Sequence, residues 1–430
     1  PDLPTSRRAH MKVERLVMGL DVGSARTTAV VAEVTGELPR RPGVRVLGVG
    51  QARTAGLRRG AVADIEEAAR SVREAVDEAE RMAGARAEAV FVGIAGEHVR
   101  ATSSHGIVAV AEDEITPADV DRVNSQARMM PLPPDRELLH AIPQEYTVDG
   151  TAGIRQPVGM GAMRLETDVY LVSIGSQPAA NLRKCVERAG HPVRELVLEP
   201  IASALAVLTE DEKELGVALV DLGASATDVA VFHEGKIRHL ATVPFGGAHV
   251  TSDLVHGVNL TASDAEQLKE VYGAALESLV SPDEVIGLPG SATQPERQVP
   301  RELLAHIIHQ RLDEIFDLVV RGVHGAGLAG SIGGGVVLTG GGAELPGTAA
   351  LARDAFGTTV RVGRPLDAIA GLREALDTPR EAAVAGLTLY GASRLAIGGA
   401  TAAVPRRVSA GAPQMERWAQ RVRLWLQDFF

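Results

Sequence analysis

Two short stretches 200 residues apart carry matched chemistry: Asp21, Gly23, Ser24, Arg26 and Thr27 in the first, and Asp221, Gly223, Ala224, Ser225 and Thr227 in the second. A phosphate needs backbone N–H groups at close range, and glycine allows that approach because it lacks Cβ and tolerates positive φ. The hydroxyls of Ser24, Thr27, Thr28, Ser225 and Thr227 are candidate donors to phosphate oxygens. A carboxylate ending each strand cannot face a triphosphate unless a cation lies between them, so Asp21 and Asp221 imply Mg²⁺ held through water. A single Asp-x-Gly reads as an ordinary turn; the pair at matched offsets reads as phosphate binding.

Three further groups could complete a nucleotide site. Gly340, Gly341, Gly342 and Ala343 follow an apolar run and precede a helical pattern, where bare backbone can slide along a purine or its ribose; alone, the run is a loop. Glu266 and Lys269 share a helical face and could bracket ribose and base, or form an exposed ion pair. Glu199 ends an apolar strand before Pro200, where a carboxylate orients water toward a terminal phosphate or caps the next helix.

The elements that must position these residues are legible in the apolar periodicity. Residues 15–32 read as strand, tight turn and strand, with a third strand at 44–49; residues 217–232 repeat the plan, with a turn at Glu234–Gly235 and another strand. Helical spacing follows each copy, at 63–82 and at 249–256, and recurs at 177–188, 200–208, 262–272, 301–323 and 345–356. Strands are expected at 193–198, 331–342 and 360–362, and 281–300 reads as turn-rich. Residues 97–168, with their Pro-rich and Gly-rich segments, look inserted into the first half.

Composition bounds the rest. At 430 residues the chain exceeds one ordinary core, and its wealth of small aliphatics with 3% aromatics favours an α/β architecture. The net charge of -11 argues against a general nucleic-acid surface. Cys185 has no partner for an intrachain disulfide, and residues 322–343, ten of them Gly, are too weakly apolar to span a bilayer. Residues 1–10 read as a disordered leader. Residues 399–413 read as a flexible linker, and 414–430 as an amphipathic helix. Its stripe of Met415, Trp418, Val422, Trp425, Leu426 and Phe429, with Arg421 beside it, suits a lipid surface; docking on its own domain is the plainer alternative.

The order loop, Glu-Pro-helix, loop, Glu-x-x-Lys helix, Gly-rich strand end resembles the actin/Hsp70/sugar-kinase ATPase superfamily over residues 15–398. LHAIPQEYTVD at 139–149, PVGMG at 157–161, LVLEP at 196–200 and VVLTGGGAEL at 336–345 resemble the FtsA family of bacterial cell-division proteins. The resemblance implies a duplicated actin-like (ribonuclease H-like) fold with two lobes around a cleft for ATP and Mg²⁺, and at most weak ATPase activity. It implies a first lobe core at 11–96 and 174–214, the family's inserted subdomain at 97–173, and a second lobe core at 215–248 and 325–398. A subdomain at 249–324 would dock the tail of the tubulin-like protein FtsZ, near 301–320. It also implies head-to-tail filaments, recruitment of other division proteins and attachment at the division site through 414–430. One departure stands out: the family's second loop usually reads Gly-Gly-Gly-Thr-Thr, whereas Ala224 and Ala226 here would restrict φ and crowd a phosphate. A chaperone would need a peptide-binding domain after the body, and a small-molecule kinase an acceptor pocket with an Asp base; neither is evident.

Overall fold

The computed structural model describes residues 16–35, 43–88, 90–288, 296–365 and 369–402, with the backbone alone over 397–402. The expected leader and the 414–430 helix lie outside the described residues.

The chain opens with an antiparallel meander of β1 (Leu16–Val22), β2 (Arg26–Thr35) and β3 (Gly43–Arg53). The short pair β4 (Leu57–Arg58) and β5 (Ala61–Val62), helix α1 (Ile65–Ala83) and strand β6 (Val90–Ile94) follow. Next come β7 (Val99–Ala109), α2 (Pro117–Arg128), β8 (Arg136–Val148), β9 (Thr151–Ile154) and β10 (Arg164–Gly175), a separate antiparallel sheet with its own small core around Val123, Tyr146 and Leu165. The return runs through α3 (Ser176–Arg188), β11 (Val193–Leu198), α4 (Glu199–Val207) and α5 (Glu210–Leu215).

The second meander is β12 (Val217–Leu222), β13 (Thr227–His233) and β14 (Lys236–Val243). Helices α6 (Gly247–Val258) and α7 (Ala262–Tyr272), strands β15 (Val285–Leu288) and β16 (Arg297–Pro300), and helix α8 (Arg301–Gly325) form a subdomain. The stretch expected to be turn-rich therefore holds an antiparallel pair. Then come β17 (Val336–Thr339), α9 (Thr348–Phe356), β18 (Val360–Val362), β19 (Ile369–Gly371) and α10 (Ala382–Ala402). Helix α10 runs beyond Gly398, so residues 399–402 of the expected linker are helical. The strand expected at 331–342 is confined to β17, because Gly335 and Gly340 both take positive φ and break it at each end.

The two sheets share one plan. Their strand orders are β11-β6-β1-β2-β3-β19 and β14-β13-β12-β17-β18; in each, the first strand of the meander pairs parallel with the strand after the crossover. Both sheets are covered on both faces, which is why β1 and β12 are apolar on successive residues. Met18, Leu20 and Val22 face α1 and α3, while Val17 faces inward; Ala218, Val220 and Leu222 face the second lobe's helices, while Val217 and Leu219 face inward.

The inward faces meet α4 and α10, which lie between the sheets. From Pro200 to Val207 every residue of α4 is buried, as expected of a helix that is apolar all round. The two helices touch backbone to backbone: a Cβ on Gly386 would sit 1.8 Å from the Ala202 carbonyl oxygen.

Candidate functional site

A cleft of about 1450 Å³ separates the lobes, lined by both meander turns, the start of α4, α6 and α7, and the Gly340–Gly342 run. The β-registers decide what faces it. Across the first sheet Asp21 stands opposite Thr28 and Thr28 opposite Gln51; across the second, Asp221 stands opposite Asp228 and Asp228 opposite Thr242. Directly opposed residues share a face of the sheet, so these two rows point at each other across the cleft floor. Glu199, the first residue of α4, also lines the cleft, and Glu381, just before α10, lies buried behind it where its charge acts on Asp21.

Five carboxylates thus converge, and burial with mutual repulsion sets their acidity. Burial, then Glu381 and Asp221, raise Asp21 to about 7. Burial raises Asp221 to about 6 against a 3.2 Å hydrogen bond donated by Ser203 Oγ. Burial also raises Asp228 to about 7, although the Thr242 hydroxyl donates to it at 2.5 Å. Glu199 is held well above the usual carboxylate range by burial, then by Asp21, Asp228 and Asp221. Asp21 Oδ1 is shut from solvent with no hydrogen-bond donor. Among the described residues no three carboxylates are placed to ligate a metal directly, so the fit here is to a hydrated divalent cation, whose waters would donate to Asp21 and Asp221 and whose charge would offset the repulsion.

The loops themselves are close-packed. A Cβ on Gly23 would lie 2.9 Å from the Arg26 carbonyl oxygen and one on Gly223 2.9 Å from that of Ala226, so both glycines answer to steric closeness; neither takes positive φ. Ala224 and Ala226 line the cleft at ordinary φ, which removes the argument that their methyl groups strain the turn. Gly340 is different: its φ is +79°, and a Cβ there would meet Asp221 Oδ1 at 2.4 Å.

Of the residues singled out from sequence, Asp21, Gly23, Ser24, Arg26, Glu199, Asp221, Gly223, Ala224, Ser225, Glu266, Lys269, Gly340, Gly341 and Gly342 line the cleft. Thr27 and Thr227 do not: both are fully buried, with Thr27 Oγ1 2.8 Å from Thr54 Oγ1 and Thr227 Oγ1 donating to the Phe245 carbonyl at 2.8 Å. Strand alternation turns them inward, since Asp21 shares its face with Thr28 and not with Thr27. Ala343 also turns into the second lobe's core. Glu266 and Lys269 form an ion pair of 2.8 Å, with Lys269 Nζ also donating to Thr251 Oγ1 and the Gly247 carbonyl. Asp228 and Glu381 were missed. Asp228 had a signal, a charge inside an apolar strand at the offset matching Thr28; Glu381, 360 residues from Asp21, had only its place before an apolar helix.

Two halves built on one meander-and-crossover plan, with a cleft between their paired turns, define an actin-like ATPase fold. The solved PilM–PilN type IV pilus biogenesis complex shares it, with a TM-score of 0.63 and 20% identity over 87% of this chain and 98% of that one. So does MreB5 of Spiroplasma citri bound to ADP, with a TM-score of 0.53 and 14% identity over 89% of this chain and 98% of that one. Two family models match, "Cell division protein FtsA" over residues 218–386 and "SHS2 domain inserted in FTSA" over 96–173. The cell division protein FtsA of Pseudomonas aeruginosa is 38% identical over 98% of this chain and all of its own length; that of Escherichia coli K12 is 36% identical over 97% and 98%. The chain belongs to the FtsA family, and its role is in cell division.

Proposed function

We propose that this chain binds ATP with Mg²⁺ in the interlobe cleft, assembles head to tail, and fastens FtsZ filaments to the cytoplasmic face of the membrane at the division site. The observation that carries the reading is the meeting of Asp21 and Asp221, one from each meander, in the cleft with Asp21 Oδ1 left without a donor. Asp21 and Asp221 hold the hydrated cation, and the turns at Gly23–Ser24 and Gly223–Ser225 present backbone N–H groups to the phosphates. The base and ribose lie between the Glu266–Lys269 pair and Gly340–Gly342. Glu199, held well above the usual carboxylate range by burial and then by the neighbouring carboxylates, orients a water; turnover is secondary to binding.

The 249–324 subdomain offers FtsZ a docking face on which Val271, Tyr272, Leu279, Val285 and Leu303 are exposed. Among the described residues no helix is long and apolar enough to cross a membrane. Attachment in this reading is peripheral, through Met415, Trp418, Arg421, Val422, Trp425, Leu426 and Phe429. A single short amphipathic helix binds modestly, and a polymer multiplies it by tethering many tails together.

Liposome co-sedimentation of the full chain and of a chain lacking 414–430, with and without Mg²⁺–ATP and FtsZ, tests these parts together. The full chain should pellet with lipid and carry FtsZ down, more so with ATP. Pelleting by the shortened chain, or indifference to ATP, would refute the anchor or the switch respectively.

A further inference from the structure

Glu381 is a buried carboxylate to which the reading above gives no task. It is 3% exposed, and its nearest cations come from two directions. Gln51 Nε2 donates to Glu381 Oε1 at 3.0 Å, and Gln51 Oε1 in turn accepts from Arg26 Nη1 at 2.9 Å. Arg26 Nη1 also lies 3.9 Å from Glu381 Oε1 directly, and the Thr28 side chain hydrogen-bonds the same carboxylate. Arg26 is thereby held at the lip of the first phosphate loop, lining the cleft with its side chain 39% exposed.

The residues just before Glu381 reach the other lobe. The Gly340 N–H donates to the Pro379 carbonyl at 3.0 Å, and Arg380 Nη2 lies 2.6 Å from Glu344 Oε2. One three-residue segment just before α10 therefore touches both the Arg26–Gln51 pair of the first lobe and the Gly340–Glu344 stretch of the second.

We propose that Glu381 is a positioning residue for the phosphates of a bound nucleoside triphosphate, acting through Arg26 and Gln51. An arginine at a loop's edge loses rotamer freedom when it grips a ligand. Glu381 and Gln51 remove most of that cost in advance by ordering Arg26 before any ligand binds. A buried carboxylate beside Asp21 by itself works against an incoming polyanion; its hydrogen bond from Gln51 and its place beside Arg26 give it the opposite effect. This rests on the nucleotide reading of the cleft.

The test is isothermal titration of the full chain with Mg²⁺–ATP, Mg²⁺–ADP and adenosine, comparing wild type, Glu381→Gln, Arg26→Gln and the double variant, each checked by a melting curve without ligand. Glu381→Gln should weaken ATP roughly tenfold and leave adenosine unchanged. Arg26→Gln should weaken ATP at least as much, and the double variant no further, because Glu381 acts through Arg26. Equal weakening of adenosine, a full further loss in the double variant, or tighter ATP binding by Glu381→Gln would overturn the proposal. Should Glu381→Gln not fold, Gln51→Leu breaks the same relay at its other end, and unchanged ATP affinity there overturns it equally. A wild type that binds no ATP removes the nucleotide reading and this inference together; a wild type that binds ATP no better than Glu381→Gln removes only the inference.

Discussion

Replacing Asp21 with Asn should stabilise the empty protein above neutral pH while abolishing its response to Mg²⁺–ATP. In the fold Asp21 titrates at about 7, against 3.8 for a free side chain, because it is buried beside Glu381 and Asp221. Between those values the native state holds a proton that the unfolded chain has released, so stability falls as pH rises through that window and stays low above it. At about 1.4 kcal/mol per pH unit the shift corresponds to a ceiling of about 4 kcal/mol, which water entering the cleft reduces. Asn keeps the shape and removes the charge, so Asp21→Asn should match wild type near pH 4 and exceed it by up to several degrees in melting temperature at pH 8. Scanning fluorimetry from pH 4 to 8.5 in a chelator, repeated with Mg²⁺–ATP, reads both halves. Parallel pH curves for the two proteins, or a less stable Asp21→Asn at pH 8, would sink the account of the cleft as a store of repulsion awaiting a cation.

Gly340→Ala should lower ATP affinity and melting temperature together, because it combines a φ of +79° with a Cβ 2.4 Å from Asp221 Oδ1; binding intact at wild-type strength would contradict that geometry. Gly386→Ala should cost about 3 kcal/mol in urea unfolding, since the new methyl group meets the Ala202 carbonyl at 1.8 Å and must prise α10 from α4. His140 is pushed down to about 4 by burial, and its neutral Nε2 accepts from the Leu198 N–H at 3.0 Å. Its contribution is present above pH 6.5 and is lost as pH falls toward 4, up to about 3 kcal/mol. That sign is opposite to the carboxylates', and His140→Asn should flatten this acid limb in melting curves.

Local pattern carried much of the fold. The offset of 200 between the two Asp-x-Gly turns exposed the duplication, and the meanders formed where alternation and turn residues placed them. Failures came where a side chain's direction depended on a partner. Thr27 and Thr227 lay in the right turns, but hairpin register aims Thr28 and Asp228 at the cleft and buries their neighbours against Thr54 and Phe245. Neither Ala224 nor Ala226 needs a positive φ in the second turn, and steric closeness governs Gly23 and Gly223.

What the sequence by itself determined is therefore what short-range physics controls: two copies of a phosphate-type loop, the helices and strands that carry them, and the family to which the motifs belong. Tertiary structure alone decided that Asp21, Glu199, Asp221, Asp228 and Glu381 come close enough for their charges to act on one another. They arrive on β1, α4, β12, β13 and the head of α10, and no local signal marks residues so far apart as neighbours. The packing of α4 and α10 between two sheets brings them together. Repulsion among buried charges makes that meeting unfavourable, so the packing of the two lobes holds these carboxylates together against their own electrostatics.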